Sequence, residues 1–212
     1  MVFYCYLHGF ASSPHSAKAR ALGDRFQSVG LSLVIPDLNQ DNFAELTLTR
    51  QLHQVADLFP PAPTPVVLIG SSLGGLTAAW LGERYAQVQR LVLLAPAFGF
   101  LDHWLPRLGE AQVQQWQQTN ALSVYHYGED RMMTLQYGFV LDAQQYNDVT
   151  QLQRPVPTLI LHGTADEVIP VQVSRDYAAS RPWVRLVELD SDHALGNVEA
   201  EIWQETRAFL GI

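Results

Sequence analysis

The sequence predicts a compact α/β domain, in which helices flank a mostly parallel sheet of about six strands and a small cap is inserted. Two observations lead to this prediction. Short runs rich in Val, Ile and Leu are continuous rather than alternating, which is typical of strands buried on both faces of a parallel sheet. Stretches with apolar residues at helical spacing lie between most of these runs, which indicates repeated βα units.

Six apolar runs are predicted to form the strands. In chain order they are Val2–Leu7, Leu31–Ile35, Val66–Ile69, Leu91–Leu94, Thr158–Leu161 and Arg185–Leu189. Five stretches are predicted to be helical: Ser16–Val29, Ala44–Phe59, Gly74–Tyr85, Val171–Ser180 and Val198–Phe209. Ser13 and Pro14 fit an N-cap followed by a proline in the first turn of the first helix.

The alternation of strands and helices breaks between Ala97 and Pro155. This segment is rich in aromatic residues and is too long for an ordinary connection. We therefore predict a single domain over residues 1–212, with residues 97–155 inserted as a cap or lid that is part helix and part hairpin.

Composition and charge exclude several classes of protein. The chain has 212 residues, which is enough for one domain with a sizeable core, and its formal net charge of −8 disfavours a nucleic-acid partner. Its one cysteine, Cys5, cannot form an internal disulfide. No apolar run approaches the ~20 residues of a membrane span, and the N-terminus lacks a basic leader. We expect a cytoplasmic protein, and the sequence leaves its oligomeric state open.

One short motif carries the strongest chemical signal. Gly70, Ser72 and Gly74 match G-x-S-x-G between a predicted strand and a predicted helix. A turn this sharp strains the serine backbone, needs small residues two positions away on either side, and lifts the hydroxyl above the sheet edge. We predict Ser72 as a nucleophile. Ser71 is the alternative serine, but it occupies the variable position of the motif.

A serine hydroxyl needs a general base, and the base needs an orienting acid. In a strand–turn–helix arrangement of this type, the chain order is serine, acid, histidine. His193 follows the last predicted strand and Asp166 follows the strand before it, so we predict His193 as the base and Asp166 as the acid. Glu167 is the nearest alternative acid and Asp102 a less favoured one. His162 is interpreted as a residue that shapes a turn.

Backbone N–H groups are expected to stabilise a developing oxyanion. One donor would be the N–H of Leu73, the residue after the nucleophile, and the other the N–H of Phe10 in the loop after the first strand. Gly9 would let that loop turn its N–H groups inward, and His8 is interpreted as a structural turn residue. No metal-ligand spacing and no phosphate-binding glycine loop occurs in the sequence, so no cofactor is predicted.

Four blocks carry a family resemblance. The block His8–Ala19 (HGFASSPHSAKA) is similar to the N-terminal block of the small bacterial YqiA-type esterases, and Gly70–Gly75 (GSSLGG) with Thr77–Leu81 (TAAWL) behind it resembles their nucleophile elbow. Asp166–Val168 and His193–Ala194 resemble their acid and base segments. The resemblance implies an α/β-hydrolase fold and a cytosolic esterase that acts on acyl esters or acyl thioesters.

The sequence therefore predicts a serine hydrolase that cleaves a small-molecule carboxylic ester, or an acyl thioester, through an acyl-enzyme on Ser72. Two alternatives stay open. One is a cofactor-independent lyase of the menaquinone-pathway type on the same fold, which is disfavoured because Leu76 occupies the position where that enzyme usually carries an arginine. The other is a non-catalytic binding module, which is disfavoured because such proteins usually lose part of the catalytic triad.

Overall fold

Eight strands form two sheets in the computed structural model, which describes residues 1–212. In chain order they are β1 (Phe3–Leu7), β2 (Leu33–Val34), β3 (Val66–Ser71), β4 (Val88–Leu94), β5 (Leu122–His126), β6 (Arg131–Leu135), β7 (Thr158–Gly163) and β8 (Val184–Leu189). Six of them form one sheet in the order β2-β1-β3-β4-β7-β8, and every neighbouring pair in it is parallel. The predicted sheet of six strands is confirmed.

Eight α-helices accompany the strands. They are α1 (Ala17–Ser28), α2 (Leu48–Asp57), α3 (Leu73–Arg84), α4 (Phe100–Leu108), α5 (Glu110–Thr119), α6 (Gly138–Ala143), α7 (Val171–Ala179) and α8 (Glu199–Leu210). Short 3-10 segments lie at Phe43–Glu45, Gln144–Tyr146 and Val149–Gln151. None of the helices combines the length and the apolar character that crossing a bilayer requires.

Two predictions at helix starts are wrong. The second predicted helix, Ala44–Phe59, is divided, and α2 begins only after Thr47, whose side chain caps its first turn. The first helix is capped by Ser16, so Ser13 and Pro14 lie in the turn that precedes it. In both cases a later hydroxyl satisfies the free N–H groups of the first turn, so the helix starts there.

The sheet is buried on both faces, which explains the continuous apolar runs. In β1, Tyr4 and Tyr6 pack into one cluster with side chains of α1 and α8, whereas Cys5 and Leu7 pack into a second cluster with side chains of α2 and α3. Alternate residues of one strand therefore enter two different cores, and every position of the strand must be apolar.

The segment between β4 and β7 packs over one end of the sheet. It contains α4, α5, the antiparallel hairpin of β5 and β6, and α6. Trp116 of α5 is buried and donates its indole N–H to the Leu135 carbonyl at 2.8 Å, which ties the helix to the hairpin. Trp104 and Phe139 pack against Phe10, with ring centroids 5.6 and 5.4 Å from it. The segment is thus held against the loop that follows β1.

Parallel strands place their carboxyl ends at one edge of the sheet. The loops that leave β1, β3, β7 and β8 at this edge carry Phe10, Ser72, Asp166 and His193. The fold therefore gathers at one place residues that are up to 183 positions apart in the chain (193 − 10).

Candidate active site

Ser72 stands alone between a strand and a helix. β3 ends at Ser71 and α3 begins at Leu73, and Ser72 has φ 53° and ψ −117°. A positive φ is strained for a residue with a side chain, and here hydrogen bonds hold it: the Ser72 N–H donates to Leu94, and the Ser72 carbonyl accepts from the Ala97 N–H. The hydroxyl is thereby presented at the edge of the sheet.

The two glycines of the motif are required by close contacts. A Cβ at Gly70 would lie 2.3 Å from the carbonyl oxygen of Gly74, and a Cβ at Gly74 would lie 2.2 Å from that of Leu7. Both atoms belong to the backbone and cannot move aside. These two close contacts explain why small residues are needed two positions before and after Ser72.

The structure brings Ser72, His193 and Asp166 into one hydrogen-bonded chain. His193 Nε2 lies 3.0 Å from Ser72 Oγ, and His193 Nδ1 lies 2.7 Å from Asp166 Oδ2. Asp166 follows β7 and its side chain is fully buried, whereas the His193 side chain is 23% exposed. Because the ionised carboxylate only accepts, Nδ1 carries the proton and Nε2 is left to accept from the serine hydroxyl.

Asp166 is held by more partners than the histidine alone. Its Oδ1 accepts from the backbone N–H groups of Val168 and Ile169, each at 2.8 Å. Its Oδ2 lies 3.1 Å from His162 Nε2 as well as 2.7 Å from His193 Nδ1. Burial alone would raise the pKa of Asp166, but the hydrogen bonds from the two histidines and from Ile169 hold it below its usual range. The carboxylate is therefore ionised at neutral pH.

His162 is closer to the site than its interpretation as a turn residue implied. The ring is fully buried, Nδ1 lies 2.8 Å from Ser174 Oγ, and Nε2 lies 2.9 Å from the Ile169 carbonyl oxygen. Since Nε2 faces a carbonyl and a carboxylate, it carries the ring proton and donates it to the Ile169 carbonyl, with Asp166 Oδ2 at 3.1 Å. The only sequence signal for the contact between His162 and Asp166 is a histidine at the end of β7, four positions before Asp166.

The loop after β1 lies beside the sharp turn at Ser72 that joins β3 to α3. A Cβ at Gly9 would lie 3.4 Å from the Ser72 Cβ, which is van der Waals contact and shows how near the loop lies to Ser72. The Phe10 N–H donates to no group of the protein, and Leu73 is the first residue of α3, where N–H groups lack helical partners. His8 is buried, with Nδ1 on the Gly9 carbonyl at 2.9 Å, and it fixes the loop.

Two cavities meet at Ser72. One has a volume of about 310 Å³ and is mostly apolar, with walls that include Leu73, Ala97, Trp104 and Val124. The other, called the polar cleft because polar and charged side chains are among its walls, is more open and has a volume of about 650 Å³. Its lining includes the side chains of Ser12, Lys18, Ser71, Asp192 and His193. Ser72 thus lies between a compartment with mostly hydrophobic walls and one with polar and charged side chains in its walls.

Lys18 in the polar cleft was not predicted as a site residue. Its Nζ donates to Ser71 Oγ at 3.0 Å, so Ser71 contacts α1 and not His193. The lysine and the serine are 53 positions apart, and no spacing in the sequence connects them.

The alternative acids and the cysteine lie outside the hydrogen-bonded chain. Asp102 accepts from the Asn147 side chain, and no carboxylate oxygen of Glu167 contacts His193. Cys5 is fully buried in β1, and burial raises the pKa of its thiol to about 12. A thiolate at this position is therefore inaccessible at neutral pH.

Solved structures share this architecture. Mouse alpha/beta hydrolase domain-containing protein 10 is similar with a TM-score of 0.78 and 22% identity, covering 98% of this chain and 89% of that one. A structure from Agrobacterium vitis S4 has a TM-score of 0.82 and 24% identity, covering 98% and 87%. Est1E from Butyrivibrio proteoclasticus, solved with ferulic acid, has a TM-score of 0.73 and 18% identity, covering 99% and 88%. These similarities establish the α/β-hydrolase fold.

Sequence comparison identifies a curated relative and a family. The chain is 24% identical over 187 residues to the mitochondrial palmitoyl-protein thioesterase ABHD10 of Mus musculus, a match that covers 82% of this chain and 61% of that protein. The chain thus spans less than two thirds of that relative's length. The model of an uncharacterised protein family matches residues 3–210, and it confirms the family resemblance that the motifs indicated. The chain belongs to this uncharacterised protein family (UPF0227).

Proposed function

We propose that the protein is a serine hydrolase that cleaves carboxylic esters or acyl thioesters through an acyl-enzyme on Ser72. The observation that carries this proposal is the continuous chain from Ser72 Oγ to His193 Nε2 and from His193 Nδ1 to Asp166 Oδ2, at 3.0 and 2.7 Å. Both distances are those of hydrogen bonds, and each ring nitrogen meets the partner that general-base catalysis needs.

In the acylation step, Ser72 Oγ attacks the acyl carbonyl carbon while His193 Nε2 takes the hydroxyl proton. The carbonyl oxygen becomes an oxyanion, which accepts hydrogen bonds from the N–H groups of Phe10 and Leu73. Asp166 stabilises the imidazolium and keeps its ring in place. When the tetrahedral intermediate collapses, the bond to the leaving group breaks and His193 delivers its proton to the departing oxygen or sulfur.

Deacylation repeats these steps with water. His193 takes a proton from a water molecule, whose oxygen attacks the acyl carbon, and the same N–H groups hold the second oxyanion. The bond from the acyl carbon to Ser72 Oγ then breaks, and the proton returns to the serine. The products are a carboxylic acid and an alcohol or thiol, so the balance requires water alone.

We infer the positions of the two halves of the substrate from the two cavities. His193 must reach the leaving atom, and it lines the polar cleft but not the apolar cavity. The leaving group therefore lies in the polar cleft, and the acyl group lies in the apolar cavity of about 310 Å³. Trp104, Phe139 and Val124 would contact the acyl chain there.

The alternative function, a cofactor-independent lyase, is less consistent with this site. Leu76, at the position where that enzyme usually carries an arginine, is fully buried in α3, so no charged group enters the cavity from there. The curated relative is named as a palmitoyl-protein thioesterase, which supports including thioesters among the substrates to be tested.

A fluorophosphonate probe combined with a substrate panel tests the proposal. We expect the wild type to be labelled on one serine, Ser72→Ala to lose labelling, and Ser71→Ala to keep it. The panel would include nitrophenyl esters and acyl thioesters of increasing chain length, with a ferulate ester because Est1E was solved with ferulic acid. Labelling that persists in Ser72→Ala, or a wild type that is neither labelled nor active, would refute the proposal.

A further inference from the structure

We propose that Lys18 binds a carboxylate carried by the leaving group of the substrate. This inference deepens the function proposed above and rests on it. It concerns the alcohol or thiol half of the substrate, about which the triad itself says nothing.

Lys18 is the only lysine among the 212 residues, and it lies in the polar cleft together with Ser72 and His193. Its Nζ contacts the hydroxyl of Ser71, the neighbour of the nucleophile, at 3.0 Å. An ammonium group has three donors, and this contact uses one of them. The other two are available to a ligand in the cleft.

No carboxylate of the protein pairs with Lys18. None lies within 4.0 Å of its Nζ, although the side chain is partly buried. The nearby acids have other partners: Asp192 Oδ1 accepts from the N–H groups of Ala194 and Leu195, and Asp166 accepts from His193 and from two backbone N–H groups. A partly buried cation without an anionic partner is unusual, and a substrate carboxylate would supply the partner.

The position fits the leaving group rather than the acyl group. Lys18 does not line the apolar cavity, and the cleft that it lines is the one that contains His193. A carboxylate on the acyl chain would enter a compartment with mostly hydrophobic walls. A carboxylate on the departing alcohol or thiol would instead lie beside Lys18 in a cleft that Ser12 also lines.

The charge state of Lys18 agrees with this role. Burial lowers its pKa to about 8, while the charges of Asp192, Asp166 and Glu199 oppose the shift. Other charged groups around it are Glu167 and His193 in the cleft, and Arg25 further along α1. The lysine is therefore mostly protonated at neutral pH, and a bound carboxylate would favour the protonated form further.

A matched pair of esters tests the inference. One is para-nitrophenyl butyrate, and the other carries a carboxylate on the ring beside the nitro group. We expect Lys18→Met to reduce kcat/KM for the carboxylated ester by about 10- to 100-fold, the loss of one charge-assisted hydrogen bond, and to change the neutral ester by less than about threefold. Lys18→Arg should retain part of the preference. An equal change for both esters in Lys18→Met would overturn the inference.

A binding measurement separates this inference from the proposed function. Because the chain has one lysine, isotope-labelled lysine gives a single side-chain NMR signal from Lys18. In the inactive Ser72→Ala variant, the carboxylated ester should shift this signal and raise the pKa of Lys18, whereas the neutral ester should leave both unchanged. A Lys18 signal that responds to neither ester refutes the proposed binding of a carboxylate by Lys18, even when the fluorophosphonate probe labels Ser72 in the wild type. A selective shift supports it, even when the wild type hydrolyses neither ester.

Discussion

His162 Nε2 lies 3.1 Å from Asp166 Oδ2, the same oxygen that accepts from His193 Nδ1. Two imidazoles, one fully buried and one 23% exposed, therefore lie against one carboxylate oxygen, and only the exposed one contacts Ser72. Ser174 and the Ile169 carbonyl fix the second imidazole, so it in turn fixes the acid. His162 acts on the proposed reaction through Asp166, and we describe it as a positioning residue.

Replacing His162 with Phe removes the donor and keeps a ring of similar size. We expect kcat for an ester to fall by about tenfold with little change in KM, because the carboxylate loses the polar ring N–H that lies 3.1 Å from it and helps to position it. The carboxylate would then also interact more strongly with His193, so the acid limb of the pH profile of kcat should move to higher pH. His162→Gln, which can still donate, should recover part of the loss. An unshifted pH profile in His162→Phe would mean that the residue only supports the fold.

Gly74→Ala tests the close approach of the elbow to β1. The new Cβ would lie 2.2 Å from the Leu7 carbonyl oxygen. We therefore expect the free energy of unfolding to fall by about 3 kcal/mol or more. We also expect the fluorophosphonate probe no longer to label Ser72. Gly138→Ala is the matched control, because no heavy atom outside its own helix turn lies within 4 Å of the added Cβ at the start of α6. Thermal denaturation of both variants measures the difference, and equal losses would refute the steric explanation.

Val124→Phe tests whether the apolar cavity holds the acyl group. The larger side chain on β5 would fill part of the apolar cavity of about 310 Å³. We therefore expect the preferred acyl chain to become shorter. The kcat/KM for esters with long acyl chains should fall at least tenfold more than the kcat/KM for acetyl esters. Leu141→Phe, at an exposed position of α6, should leave the chain-length profile unchanged. An unchanged profile in Val124→Phe would place the acyl group elsewhere.

The lowered pKa of Lys18 predicts how stability depends on pH. In the folded protein this pKa is about 8, against an ordinary value of 10.5, so between these two pH values the unfolded chain binds more protons than the folded protein. The contribution of Lys18 to the free energy of unfolding should therefore rise with pH from about 8 to about 10.5. Lys18→Met should lack this rise and should have a Tm at pH 7 that is higher by about 2–4 °C. Parallel pH profiles for the two proteins in urea unfolding would contradict the assignment.

The sequence identified the three members of the hydrogen-bonded chain because each follows a predicted strand. Parallel strands bring their carboxyl ends together, so Ser72, Asp166 and His193 could be grouped without knowledge of the loops. The contact between Lys18 and Ser71 could not be predicted in this way, because it depends on how α1 packs against the turn between β3 and α3. The start of α2 was missed for a local reason, since Thr47 competes with earlier positions for the cap.

The most direct test of the central claim is the site of the acyl group during turnover. With para-nitrophenyl butyrate in excess, rapid acid quenching followed by intact-mass and peptide analysis should show one butyryl group on Ser72. Ser71→Ala should still form this adduct on Ser72, and Ser72→Ala should form none and should lose hydrolysis. A butyryl group on another residue, or hydrolysis that survives in Ser72→Ala, would contradict the proposed acyl-enzyme on Ser72.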